Sequence, residues 1–174
     1  MPPSQPPPDS HTASVPPVPG DAVAGALGRI PSGLFVVTWR EVGRDRGMLA
    51  SWVMQAGFAP PAVTIAIAPG RDLLPAAAAG AALAVNILGE SQRPLLARFG
   101  RAPAQGEDPF AGIEIVRTPA GNAAFPDAAG WLEGRLVARA DAGDHAVVVV
   151  AVVAAAIGRS DAPLVHLRKN GLRY

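Results

Sequence analysis

The sequence is that of a β-rich chain with two or three short helices, and the expected architecture is a closed antiparallel barrel with helical insertions. Three observations lead there. Short apolar stretches, some alternating at period two, are separated by Gly, Pro and Asp clusters, as in strands joined by hairpins. These stretches do not alternate one for one with helical segments, which disfavours a doubly wound parallel sheet. With 174 residues, of which 49% are hydrophobic, the chain is large enough for one sizeable core, and closure removes the exposed edges of an antiparallel sheet.

Residues 1–20 hold eight of the nineteen prolines and almost nothing apolar, so they are expected to form a disordered, proline-rich leader. The folded domain is expected over 21–174. Asp21 can cap a short helix running to about Arg29, which Pro31 and Gly33 end. Residues 34–39 (LFVVTW) read as a strand and 48–53 (MLASWV) as its hairpin partner, with a turn across 41–47 (EVGRDRG). Pro60 and Pro61 precede a strand at 62–68, where Val63, Ile65 and Ile67 alternate with smaller residues.

An alanine-rich helix with Asp72 near its cap follows, then a strand at 82–88. A helix is expected over 91–99, with Pro94 tolerated in its first turn. The next thirty residues read as loops around one strand at 113–117. Strands at 131–139 and 146–157 form a second hairpin across 141–144, and 165–167 is expected to close the sheet.

Composition excludes several classes of function. Fifteen basic residues against fourteen acidic ones leave a formal charge of +1, which argues against a nucleic-acid footprint. The absence of cysteine rules out disulfides, thiolate metal sites and a cysteine nucleophile. His11, His145 and His166 are too scattered to suggest a metal site. The longest apolar run, 146–157, is shorter than the ~18 residues of a membrane-spanning helix. With no signal-peptide pattern, a cytoplasmic protein with no membrane association is expected.

No Gly-x-Gly-x-x-Gly follows a strand, and no phosphate loop ends in Lys-Ser/Thr. Ser51, His145 and Asp144 do not suggest a triad, since nothing places Ser51 on a nucleophile elbow and adjacent Asp and His are poorly disposed to orient each other. What fits is chemistry carried by a cofactor, with the protein supplying a pocket and orientation. Three places suit it. Residues 47–53 (GMLASWV) offer small residues and the Ser51 hydroxyl to a flat ring; they serve equally as a plain hairpin strand with Gly47 in the turn. Residues 69–72 (PGRD) set Arg71 between a strand and a helix, suited to a phosphate or to a solvent-exposed ion pair with Asp72. Residues 143–145 (GDH) bring a histidine that Asp144 could orient, or are simply a turn.

Taken in order, these segments resemble the flavin reductase-like family with its FMN-binding split-barrel fold. The resemblance rests on residues 26–38 (ALGRIPSGLFVVT), 47–51 (GMLAS), 58–61 (FAPP), 84–88 (AVNIL), 143–145 (GDH) and 163–168 (PLVHLR), and covers roughly residues 22–174. Residues 47–53 and the ending HLRKNG at 166–171 with Tyr174 are most similar to the flavin reductase domain of flavodiiron-type proteins.

The resemblance implies a Greek-key split barrel that assembles as a homodimer. It implies an enzyme that binds FMN (or FAD) and takes hydride from NADH or NADPH. Carried over by position, Met48, Leu49, Ala50, Ser51 and Trp52 border the flavin ring, Arg71 faces its phosphate and Asn86 contacts the ribityl chain or ring edge. His145, the catalytic candidate, sits by the flavin or nicotinamide and positions the hydride donor. The acceptor of reduced flavin would be a flavin-dependent monooxygenase or another electron acceptor.

The sequence departs from the family pattern at Leu49, where many members carry Thr, at bulky Trp52, and in a phosphate loop reduced to PGRD. Those departures imply weak, exchangeable flavin used as a substrate. The alternative is a flavin carrier or electron-transfer protein without NAD(P)H turnover, with Trp52 covering the nicotinamide face. Vitamin-phosphate oxidation, heme handling or a role resting only on the proline-rich segment find less support in these residues.

Overall fold

A computed structural model describes residues 20–159 and 162–172. The proline-rich leader expected over 1–20 therefore falls, but for Gly20, outside the described residues, as does Tyr174. The described chain divides into two units, one of residues 20–30 with 168–172 and one of residues 31–167.

In the smaller unit, helix α1 spans Gly20–Gly28 with Asp21 in its first turn, where a carboxylate complements the helix dipole. The Arg168 amide donates to the Gly28 carbonyl at 3.1 Å, satisfying a carbonyl that the helix end leaves open, and the Gly171 amide donates to the Ala24 carbonyl at 2.8 Å.

The larger unit is built on seven antiparallel strands: β2 (Phe35–Glu41), β3 (Arg44–Ala50), β4 (Val53–Phe58), β5 (Pro61–Ile67), β6 (Leu83–Ile87), β9 (Gly130–Ala142) and β10 (His145–Ile157). Their order is β3-β2-β6-β9-β10-β5-β4. The two edge strands, β3 and β4, are consecutive in the chain and joined only by Ser51 and Trp52. Laid flat, seven strands would hold these edges roughly 29 Å apart, whereas the short connection reaches only about 11 Å. The sheet must therefore roll up and bring its edges together at Ser51–Trp52. This is the split barrel the sequence predicts.

Alternation along the strands sorts side chains between two cores. Val37, Trp39, Ile65, Leu83, Val85 and Val148 fill the barrel interior with Leu73 of α2 (Leu73–Ala78). Val36, Leu34 and Leu88 face a second core around Phe99 of α3 (Pro94–Phe99), Phe110 and Phe125. Strand β2 is thus buried on both faces, which explains why residues 34–39 are apolar but for Thr38, whose hydroxyl donates to the Ala123 carbonyl, rather than alternating with exposed polar residues.

Several boundaries differ from expectation. The first hairpin turns on two residues, Val42 and Gly43, at φ 47° and 76°, so β3 begins at Arg44 and takes up most of the stretch expected to be turn. The strand expected over 48–53 is interrupted at Ser51–Trp52, because the chain there leaves one sheet edge for the other. The helix expected over 91–99 is divided into a 3-10 turn, Glu90–Gln92, and α3, with Pro94 at the helix start where its missing N–H costs nothing.

The segment expected to be a strand over 113–117 contributes only β7 (Val116–Arg117), paired with β8 (Ala123–Ala124). Strand β11 (Val165–His166) does not close the main sheet; it pairs with β1 (Ser32–Gly33) in a separate ribbon. A buried carboxylate anchors the β7–β8 hairpin to β9: Glu133 accepts hydrogen bonds from the Thr118 hydroxyl, from the Ala120 amide at 3.0 Å and from Asn122 Nδ2 at 3.0 Å.

Among the described residues no helix is long and apolar enough to cross a membrane.

Candidate functional site

Three of the segments singled out by sequence converge on one rim of the barrel. Trp52 lies in the connection between the two edge strands, and its carbonyl accepts from the Ala66 amide at 3.0 Å, near the end of β5. Ile67, the next residue on β5, pairs with Ala146 of β10, so His145 lies at this same rim. The loop 68–72, with Arg71, leaves β5 there as well. Ser51, Trp52, His145 and the Arg71 loop are therefore gathered by sheet register from distant parts of the sequence.

Within this rim the Trp52 and His145 rings lie 4.8 Å apart, tilted by 46°. His145 is buried, while Trp52 is 37% exposed. The β9–β10 hairpin turns on Gly143 and Asp144 alone, with Gly143 at φ 65°, the geometry for which a two-residue hairpin favours glycine at its first position. Asp144 Oδ1 stands 2.9 Å from His145 Nδ1. That contact matches the reading of residues 143–145 in which Asp144 orients the histidine. On a strand they would point to opposite faces, but Asp144 belongs to the turn and folds back over the ring. The hydrogen bond from His145, with the imidazole charge adding to it, holds the Asp144 carboxyl below the usual carboxylate range.

The remaining candidates separate by burial. Met48 packs against the barrel interior, which Ala50 joins, and Leu49 packs against the second core, so their side chains are committed to packing. Gly47 is not in the turn; it pairs with Thr38, and a Cβ there would sit 2.7 Å from the Phe99 ring and 3.1 Å from Phe110. Its small size answers to the second core.

Arg71 is exposed and forms no ion pair with Asp72 or any other described residue. Asp72 occupies the N-cap of α2 without a capping side-chain bond. Asn86 is not brought to the rim cluster's surface. It is fully buried on β6, and its Nδ2 donates to the Val36 carbonyl at 3.0 Å and the Ala123 carbonyl at 3.4 Å. Its Oδ1 accepts from the Phe125 amide at 2.8 Å, so the amide is spent on tying β2 and β8 together.

Asp144 is the residue whose part in the cluster sequence reasoning underweighted. Its only signal was a position in a Gly-Asp-His turn, and turns are rich in Asp for local reasons.

The rim offers a hydroxyl (Ser51), a half-exposed indole, an oriented imidazole and a mobile-length guanidinium on Arg71. This donor set suits a planar heteroaromatic ring bearing an anionic tail, since the aromatic groups offer π faces and Arg a bidentate fork for phosphate.

The model of the flavin reductase like domain matches residues 27–171. A relative, diflavin flavoprotein A 1 of Synechocystis sp., is 33% identical over 151 residues, 86% of this chain and 26% of its own length. The chain thus spans about a quarter of the length of the curated relatives it matches. Among solved structures, a flavin reductase domain protein from Arthrobacter sp. FB24 shares 28% identity with a TM-score of 0.73, covering 84% of this chain and 89% of that one. Nitrilotriacetate monooxygenase component B from Mycobacterium thermoresistibile shares 25% identity with a TM-score of 0.75, covering 85% and 82%. The chain belongs to the flavin reductase-like domain family and has its split-barrel fold.

Proposed function

We propose that this member of the flavin reductase-like family is an NAD(P)H-dependent flavin reductase that uses FMN, or FAD, and binds it at the Ser51–Trp52 rim. The observation that carries the proposal is the gathering of Trp52, His145 and the Arg71 loop at one end of the barrel, in a chain of that family. A flavin held at this rim would supply a two-electron acceptor for hydride from a nicotinamide donor, which would be oxidised as the flavin is reduced.

The protein's part is orientation. The Ser51 hydroxyl meets the polar edge of the ring and Arg71 holds the phosphate. His145, set against Trp52, positions the nicotinamide donor. Met48, Leu49 and Ala50 shape the rim from beneath through packing, and Asn86 supports it by holding β6 to its neighbours. With Arg71 as a single exposed cation in a short loop, phosphate binding is weak, and flavin exchanges as a substrate rather than staying bound.

The working unit of this proposal is a homodimer. Across β9, β10, β5 and β4 the residues Ala138, Val149, Thr64 and Met54 share one register row, and Ala140, Val147 and Ala66 share the next. Neither row contains a charge; Met54 in the first row is exposed, as is Val153 further along β10. An uncharged sheet face of this kind is suited to a second copy. Reduced flavin would then pass to a partner such as a flavin-dependent monooxygenase, as the name of the nitrilotriacetate monooxygenase component suggests for that protein.

The test is NADH and NADPH oxidation followed at the nicotinamide absorbance band, with and without added FMN. Oxidation that depends on FMN supports the reductase reading. Flavin binding without donor oxidation would replace it with a carrier or electron-transfer role.

A further inference from the structure

We propose that the tip of the β2–β3 hairpin is a docking surface for an acidic segment of a partner protein. Val42 meets an aliphatic side chain of that segment, and Arg40 and Arg44 take its carboxylates on either side. The proposal stands apart from the flavin chemistry and is tested without it.

Val42 is the first observation. It is 97% exposed, so it buries almost nothing against its own chain. It nevertheless holds φ 47°, beside Gly43 at 76°, a conformation that Asn or Gly takes up freely and a β-branched residue adopts only under strain. An apolar side chain that is both strained and in water adds nothing to the stability of the fold. Strain of this kind concentrates at functional positions.

The charges around the turn are the second observation, independent of the first. Arg46 is paired with Glu41 at 2.8 Å and Arg117 with Asp45 at 2.5 Å, which engages both carboxylates of the hairpin. Arg40 and Arg44 are exposed, and neither forms an ion pair among the described residues. Arg40 Nη2 donates to the Gly43 carbonyl at 2.8 Å, which holds the guanidinium at the turn. In the ladder Arg40 lies opposite Asp45 and Arg44 opposite Glu41, so the pleat sets the two arginines on opposite faces of the hairpin with Val42 between them. Thr38 pairs with Ala84 and Ala84 with Glu133, so Arg135 stands in the register row of Arg40 two strands away. It donates to the Gly80 carbonyl and likewise has no carboxylate partner, adding a third uncompensated cation.

Guanidinium forks match carboxylates in geometry, and an apolar side chain set between arginines is the composition of an interface anchor. A nucleic acid or an anionic membrane fits this tip less well. Both call for a broad basic face, whereas Glu41 and Asp45 are interleaved with the arginines here and the apolar surface of the turn is one side chain.

The test titrates the 15N-labelled full chain, without flavin, with the capped peptide EELLEE at low ionic strength and follows the backbone amide shifts. Saturating shifts are expected over residues 40–46 and at Arg117 and Arg135, and added salt should weaken them. Arg44→Gln should lower the affinity about fivefold. Val42→Asn should lower it about tenfold while melting no lower than the native protein, which separates docking from folding. Arg93→Gln, at an arginine engaged with Glu90 at 2.7 Å, is the control and should change nothing. Absence of saturation, shifts centred elsewhere, or equal binding of EEAAEE, which has the same charge without the leucines, overturns the proposal. Tighter binding of a thymidine oligonucleotide or of phosphatidylglycerol vesicles at this hairpin would overturn it in favour of a phosphate-bearing partner.

Discussion

The rings of Trp52 and His145 lie 4.8 Å apart although one stands between the two edge strands and the other opens β10. Their contact depends on the rolled sheet, and it places a half-exposed indole beside the candidate flavin site. Trp39 is buried and Trp131 is only partly exposed. Titration with FMN should therefore quench mainly the Trp52 emission. In Trp52→Phe most of that quenching should disappear while the remaining tryptophan signal and the melting temperature persist. Equal quenching in both proteins would place the flavin elsewhere.

Asn86 offers a clean separation of structural from ligand roles. Removing its amide in Asn86→Ala leaves the Phe125 amide and the Val36 carbonyl to lose buried partners, at a cost of about 3 kcal/mol. Urea unfolding should show the loss as a lower midpoint. Flavin affinity of the folded fraction should not change; a selective loss of affinity would make Asn86 a ligand contact after all.

Gly47 makes a similar distinction on β3. The Cβ of Gly47→Ala would press on the rings of Phe99 and Phe110, and overpacking of this kind costs about 1–3 kcal/mol. The destabilisation should be present without flavin. It should be relieved when Phe99, the ring a Cβ there meets most closely, is shortened to Leu in the same chain, as a thermal melt of the double variant would show.

Val42 is a β-branched residue held at φ 47° in a two-residue turn and is almost wholly exposed. That conformation suits Asn or Gly and disfavours Val. Val42→Asn should raise stability by about 1 kcal/mol, or about 3 °C in melting temperature, with no effect on donor oxidation.

The loop 101–107 is pinned by a carboxylate. Glu107 accepts from Arg101 at 2.6 and 2.8 Å and from the Ala104 amide at 2.7 Å. Its pKa is lowered to about 2, first by the Arg101 hydrogen bond and then by the backbone amide. A carboxyl with a depressed folded pKa stabilises the fold fully above its ordinary value, and that contribution is lost as pH falls toward the folded one. Hydrogen exchange of this loop should accelerate between about pH 4.5 and 2, and Glu107→Gln should remove that pH step.

How much of this was legible beforehand varies with the range of the interaction involved. The strand at 62–68, the β9–β10 hairpin and the α2 helix follow from local alternation and from Gly, Pro and Asp punctuation, and they stand within a few residues of where the sequence puts them. The Gly-Asp-His turn and the Ser51–Trp52 segment were visible as candidates for the same reason. The two-residue β7 and β8 were poorly marked because so short a strand has no period to read.

The amino-acid sequence alone determined the class of fold, its approximate strands and the short list of chemically capable residues, since these depend on neighbours a few positions apart. Tertiary structure decided which of those residues meet. Sheet order made Ser51–Trp52 the seam of the barrel, set His145 against Trp52, drew Asn86 into the buried frame and sent β11 to β1 instead of the main sheet. Each outcome turns on hydrogen-bond register and packing between segments far apart in the chain, and no local pattern of side chains carries that information.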